Sequence, residues 1–386
     1  MRVARLALTA ALAGAVVACG GATVSPPPTH VLSSGVRLDV QWRVPLEPDG
    51  GSVVDNYRWR PRELGGVAIS ESRGVVAFAT RAGAVYGLDM ASGERLWALE
   101  LGDGTVSAPV EVDGVFYLSH IDGNLRAIDA RSGGERWSWS SGTVLTGEPG
   151  VGAAHVAVVG ADDTLYVVDR ETGELAWRFE RTGRRDLTVE GASSPTFTDD
   201  AVYAGFSDGS LACLGLDGST RWVADLAGGE RRLTDVDGRP LVADGVVYAS
   251  SFAHGLWALD AATGEALWSA PMQGATSPEM AGGRVVVGDT AGTIRWLDPA
   301  TGDPVGVLEL DDDGTTDAAR IGGHLVYGTA TRGLAVVDGT TPWLHNRFSP
   351  DSGVSSAAAA GPGAIYVLTN LGYAYRIAAW NGSGVR

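Results

Sequence analysis

One thirteen-residue phrase constrains this chain more than any other feature. Leu165–Trp177 reads L-Y-V-V-D-R-E-T-G-E-L-A-W: an apolar run closed by Asp169, a polar turn ending on Gly173, and a second run carrying Trp177. Full copies stand at Val85–Trp97, Leu125–Trp137 and Leu256–Trp268, and degenerate ones at Leu211–Trp222, Ile294–Gly306, Leu334–Trp343 and Tyr373–Trp380. The strand-ending aspartates, Asp89, Asp129, Asp169, Asp217, Asp260, Asp298 and Asp338, are spaced 40, 40, 48, 43, 38 and 40 residues apart. A period of this length means a closed or stacked array of like units.

Each period carries four short alternating runs. In one copy they fall at Ser107–Val112, Val115–His120, Leu125–Asp129 and Glu135–Trp139, separated by D-G turns. Four strands in about 40 residues make a propeller blade, because so small a sheet cannot bury both faces without neighbours. Seven copies from Gly66 are complete; an eighth, Val354–Trp380, lacks its outer strand. The tryptophan-bearing run Leu38–Leu46 has no turn of its own and supplies the missing piece, which removes the open seam. The expected fold is therefore all-β, an eight-bladed propeller over residues 38–380, closed by its N-terminal strand, with residues 381–386 as a tail.

Repetition assigns roles. Asp89, Asp129, Asp169 and Asp260, with Gly93, Gly133, Gly173 and Gly264, are read as turn formers. Trp97, Trp137, Trp177 and Trp268 are read as anchors between neighbouring sheets. A catalytic group is needed once, not in every blade.

Residues 1–18 read as a secretory leader, with Arg2 and Arg5 before an apolar run too short to span a bilayer. The run ends in Val16-Val17-Ala18-Cys19, which resembles the bacterial lipobox. That resemblance implies a mature chain starting at Cys19, carrying diacylglycerol on its thiol, and anchored by lipid alone. Gly20, where inner-membrane lipoproteins commonly carry aspartate, favours the outer membrane and a periplasm-facing globule. Residues 19–37, with Pro26-Pro27-Pro28, read as lipidated terminus and tether. Cys213, left without a partner, is expected to be a buried small hydrophobe.

The formal charge is −17, and −19 once Arg2 and Arg5 leave with the leader; every basic side chain is arginine. Such a field repels phosphate backbones, so nucleic acid is excluded as a partner. The six histidines (30, 120, 155, 254, 324 and 345) are isolated in sequence, and no metal-ligating motif is present. Asp311-Asp312-Asp313 is the densest acidic run and reads as a solvated loop. Ser107, Ser194 and Ser277 recur in a proline context without a nucleophile elbow. No metal and no catalytic residue is expected.

The repeated phrase resembles the tryptophan-docking repeat of the pyrroloquinoline-quinone (PQQ) propellers, which include both dehydrogenases and non-enzymatic proteins. The expanded blades and vicinal disulfide that the dehydrogenases imply are missing from this sequence, so PQQ is not expected as a cofactor. Two longer segments are more particular. Leu187–Thr196 (L-T-V-E-G-A-S-S-P-T) and Arg232–Pro240 (R-L-T-D-V-D-G-R-P) resemble neighbouring segments of the BamB family of outer-membrane-assembly lipoproteins. In that family these loops bind the polypeptide-transport-associated (POTRA) domains of the barrel protein BamA. The resemblance implies partner-binding roles for Leu187, Val189, Glu190, Asp235 and Asp237. Glu190 stands where the family has arginine, so the charge is reversed. The residues themselves read as a small amphipathic docking patch, or as a D-V-D turn that merely bonds itself.

The expected function is a non-catalytic scaffold, monomeric, serving a BamA-like protein and unfolded outer-membrane proteins. The alternatives are a PQQ-dependent periplasmic dehydrogenase, or a propeller that binds another envelope protein or a glycan.

Overall fold

The structure is a computed structural model that describes residues 36–46, 65–102, 104, 107–181, 193–227, 233–310, 314–350 and 352–381. The leader, Cys19, the tether as far as residue 35, Leu187, Val189, Glu190 and Asp311 to Asp313 lie outside these residues. So do residues 47–64, whose role the sequence leaves open.

Eight four-stranded antiparallel sheets follow one another around a ring. In each, strands a to d run from the axis outward in chain order; blade 1, for example, is Val67–Ser70, Val75–Ala79, Ala84–Asp89 and Arg95–Glu100. The eighth takes strands a to c from Ala359–Gly361, Ala364–Leu368 and Tyr373–Asn381, and its d strand from Val36–Pro45. The first strand thus pairs with the last, from Val36 opposite Asn381 to Pro45 opposite Tyr373. It begins two residues earlier than the sequence suggested, and the eighth blade's c strand runs one residue further, into the expected tail.

The middle strands are buried on both sides, as in Val75–Ala79, while d strands alternate, as in Leu175–Glu180. A blade is therefore sandwiched between neighbours and wet only along its outer rim. Each of the eight interfaces holds its own apolar cluster; that between blades 1 and 2 gathers Ala77, Val85, Phe116, Leu118 and Ile128. Cys213 sits in the cluster between blades 4 and 5, free and fully buried.

Trp42, Trp97, Trp137, Trp177, Trp222 and Trp268 each donate their indole N–H to a turn carbonyl of the following blade, at 2.9–3.2 Å. Each ring lies flat on a glycine of that turn: Gly93, Gly133, Gly173, Gly218, Gly264 and Gly302 in order. All six glycines have positive φ, and a Cβ there would lie 2.5–2.9 Å from the ring, so both conformation and space demand glycine. The turn aspartates set the platform: Asp89, Asp129, Asp169 and Asp260 each accept, through Oδ1, two backbone amides and a hydroxyl.

Two joints differ. Blade 6 has Gly306 at the anchor position, and the ring of Pro342 closes over it. Blade 7 has Asn346 there, donating to Val36 O at 2.7 Å. Trp343, read from sequence as the anchor of that copy, is half exposed instead. The turn Gly339-Thr340-Thr341-Pro342 brings Trp343 in before the d strand Leu344–Phe348 begins, three residues short of the docking register.

Antiparallel neighbours divide the turns between two faces. The b–c turns and the connections between blades share one face, and the a–b and c–d turns share the other.

Candidate functional site

The two segments that depart from the repeat are both connections between blades, and their described residues, 193–196 and 233–240, lie on the face of the b–c turns. The structure brings their described ends together. Ser193 Oγ donates to Gly238 O at 3.3 Å, and Thr196 Oγ1 donates to Pro240 O at 2.6 Å. Segments some 45 residues apart in sequence thus form one composite rim beside the ring axis.

Residues 233–240 are woven into the fold. Thr234 Oγ1 donates to Ser207 O, Val236 N to Phe206 O, and Phe252 N to Asp235 O. The loop is wedged between the b–c turns of blades 4 and 5, with Val236 in their shared core. This wedging buries Asp235, which is only 2% exposed. A surface carboxylate was expected at position 235. The backbone bonding on either side draws it inward.

Asp237 lies further out and is part-buried. Burial raises its pKa to about 7, with Asp235 and Asp317 adding charge repulsion. One of its oxygens, Oδ1, has no hydrogen-bond partner among the described residues.

Arg239, exposed on the same loop, reaches across two blades to pair with Glu148, while its amide donates to Ser277 Oγ at 2.9 Å. Ser277 in turn donates through Oγ to Asp317 Oδ2 at 2.7 Å, and its amide bonds Asp317 Oδ1 at 2.7 Å. Asp317 stands at a bulge in the a strand Thr315–Ile321 of blade 7. One short loop therefore connects blades 3, 5, 6 and 7 around the axis. Burial pushes the Glu148 carboxyl up despite its arginine. The hydroxyl of Ser277 thus links the loop, through the Arg239 amide, to the Asp317 carboxylate of blade 7.

Leu233, at the head of the loop, was overlooked in the sequence. Its φ is +56°, and the other described non-glycine residues at positive φ are all aspartates. A leucine so placed is strained by about 1–3 kcal/mol, a cost that persists only where surroundings over-determine it. No residue-type signal announces such a position.

A ring of eight four-stranded blades, joined at six places by a docked tryptophan and closed by its first strand, defines a PQQ-like repeat propeller. The family described as outer membrane protein assembly factor BamB matches residues 39–148 and 127–306, and the chain belongs to that family. It is 29% identical over 197 residues to the Legionella pneumophila (strain Paris) protein named outer membrane protein assembly factor BamB. That match covers 49% of this chain and 51% of the relative, so it spans about half the relative's length. Among solved structures, BamB from Moraxella catarrhalis superposes with a TM-score of 0.72 at 19% identity, over 89% of this chain and all of that one. A quinohemoprotein alcohol dehydrogenase from Comamonas testosteroni shares the fold at a TM-score of 0.68 and 15% identity, over 90% and 77% of the two chains.

Proposed function

We propose that this chain is a non-catalytic scaffold lipoprotein that assists the assembly of outer-membrane β-barrel proteins, docking the POTRA domains of a BamA-like partner. It is held at the outer membrane by diacylglycerol on Cys19 and faces the periplasm. Unfolded barrel proteins are its further clients. The observation that carries the reading is the joining of the two family-like segments into one rim, through Ser193 with Gly238 and Thr196 with Pro240. Leu187, Val189 and Glu190, outside the described residues, are the proposed partner contacts from the first segment, and Asp237 and Arg239 give the rim charge. Asp235 acts from beneath, by holding the loop.

Rims of this kind suit protein docking, with charges setting orientation more than affinity. The test is purification of the native chain from outer membranes, compared with Leu187→Ala and Asp237→Asn/Arg239→Ala variants. Co-purification of the barrel-assembly protein with the native chain and its loss from the variants is the expected result. Its absence from the native preparation overturns the assignment. Mass analysis of the N-terminal peptide checks the acyl chain on Cys19.

The likeness to a dehydrogenase fold favours one second reading, a PQQ-dependent oxidoreductase. Three of the acidic residues on the inner part of the ring, Glu148, Glu279 and Asp317, are matched with Arg239, Arg320 and Ser277. We expect no turnover of alcohols or sugars after reconstitution with PQQ and Ca²⁺; turnover would replace the scaffold reading.

A further inference from the structure

On the face opposite the docking rim, blade 7 gathers three groups that the sequence keeps apart. His324 opens the b strand His324–Thr329, Asp338 closes the c strand Gly333–Asp338, and His345 is the second residue of the d strand Leu344–Phe348. Strand register places His324 directly opposite Asp338. His345 Nε2 lies 3.2 Å from Asp338 Oδ2, and the two imidazoles meet edge to face with centroids 4.6 Å apart. One ligand atom from each residue falls within 4.8 Å of the other two.

We propose that His324, Asp338 and His345 form a divalent-cation site of the zinc type, with two nitrogens and one carboxylate oxygen from protein and a fourth position for water. Zinc binds His nitrogen and carboxylate oxygen at about 2.0–2.2 Å, so tetrahedral ligand atoms stand roughly 3.3–3.5 Å apart. The His345–Asp338 edge already has nearly that length. Donors of this kind, two imidazoles and one oxygen, suit zinc and its neighbours; calcium and magnesium demand oxygen cages.

Comparison with the other blades supports the assignment. Where blade 7 has His345, blade 2 has Arg136, whose guanidinium takes Asp129 Oδ2 at 2.7 Å. Where blade 7 has His324, blade 6 has Arg284, on Asp298 Oδ2 at 3.1 Å. Those aspartates are neutralised by permanent cations that cannot ligate a metal. In blade 7 both positions hold imidazoles, which can.

Asp338 is also fixed as a ligand must be. Its Oδ1 accepts from the amides and hydroxyls of Thr340 and Thr341, which leaves Oδ2 aimed at His345. The side chains of His345 and Asp338 are 11% and 24% exposed, enough for an ion and a water to enter.

The location gives the site a use. Blade 7 receives Gly306 from blade 6 instead of a tryptophan, and offers Asn346 to blade 8. Among the described joints it is the one blade docked by tryptophan on neither side. An ion bridging its b, c and d strands cross-links the blade where the anchors are missing.

The test uses the full chain, purified without a histidine tag and stripped with chelator, then titrated with Co²⁺ and Zn²⁺. One equivalent of Co²⁺ giving tetrahedral d–d absorption, displacement by Zn²⁺ and a raised Tm are expected. The His345→Arg variant copies the Arg136–Asp129 pair, so it should keep the fold and the apo Tm yet lose stoichiometric binding. His324→Asn should lose binding too, whereas His155→Ala, at the equivalent position in blade 3, should retain it. No tetrahedral Co²⁺ spectrum from the native chain overturns the site. Undiminished binding by a folded His345→Arg or His324→Asn chain, or loss in His155→Ala, overturns the assignment of ligands.

Discussion

The joint between blades 4 and 5 offers a measurement that separates docking from backbone strain. Gly264 has φ +75°, and a Cβ built there lies 2.6 Å from Trp222 Cδ2. Gly245 has nearly the same conformation, φ +78°, with nothing within 4 Å of the added atom. Alanine at either position bears the left-handed backbone cost, about 1–2 kcal/mol. Both substitutions also reduce the freedom of the unfolded chain equally. Only Gly264→Ala must in addition push the indole off its platform, stretching the 3.0 Å bond from Trp222 Nε1 to Ala261 O. Overpacking of this kind costs about 1–3 kcal/mol.

The expected loss is therefore about 1–2 kcal/mol for Gly245→Ala and about 2–5 kcal/mol for Gly264→Ala. Urea unfolding followed by far-ultraviolet circular dichroism measures both, with an unchanged m-value as the check that one transition is being compared. In a Gly264→Ala/Trp222→Ala chain the extra penalty vanishes, because the ring that clashed is gone. If the two single variants lose stability equally, within about 0.5 kcal/mol, the glycine is a turn former only and the docking argument fails.

Further outcomes follow from the same geometry. Asp237 has its pKa raised to about 7, against roughly 3.9 unfolded, so the folded state holds its proton more tightly. The stability this confers is complete below about pH 4 and is lost as pH rises through about 7; Asp237→Asn should flatten that slope in urea midpoints taken across pH. Asp129 has the opposite sign: Arg136 leads in holding it down to about 2, so its contribution is present above about pH 4 and is lost as pH falls through about 2. Arg136→Gln should move the acid transition to higher pH, read by circular dichroism. The buried Cys213 thiol, its pKa pushed up by burial, should resist iodoacetamide in the native protein and be alkylated only in denaturant, as peptide mass mapping will report.

The blade count, the closing strand and six of the eight joints were legible because they repeat, and a repeated residue tells its role by comparison with its copies. Legibility fails where the chain leaves its period. Trp343 was misplaced because an aromatic after a turn looks like an anchor, while docking depends on register within the d strand, which the Thr341-Pro342 pair alters. Loop carboxylates usually face solvent; the burial of Asp235 follows from backbone bonds to residues 206 and 252 that no local pattern encodes. His324 and His345 looked isolated because sequence distance hides cross-strand neighbours. A strand pairing makes positions 324 and 338 adjacent.

The pairing of Val36–Pro45 with Tyr373–Asn381 also fixes an order of events. The first segment of the ring to be synthesised is the last to find its place, since its partner strand is among the final residues made. Until then the strand of Trp42 has no sheet to join, although the platform for its ring in blade 1 is already made, and the growing array ends in an unpaired sheet edge. Closing so long a loop costs only slightly more entropy than closing a short one, because the cost rises with the logarithm of length. The delay is therefore one of availability. A chain that crosses a membrane N-terminus first must carry this strand unpaired until the eighth blade arrives, and a truncation near residue 373 leaves it without a partner for good.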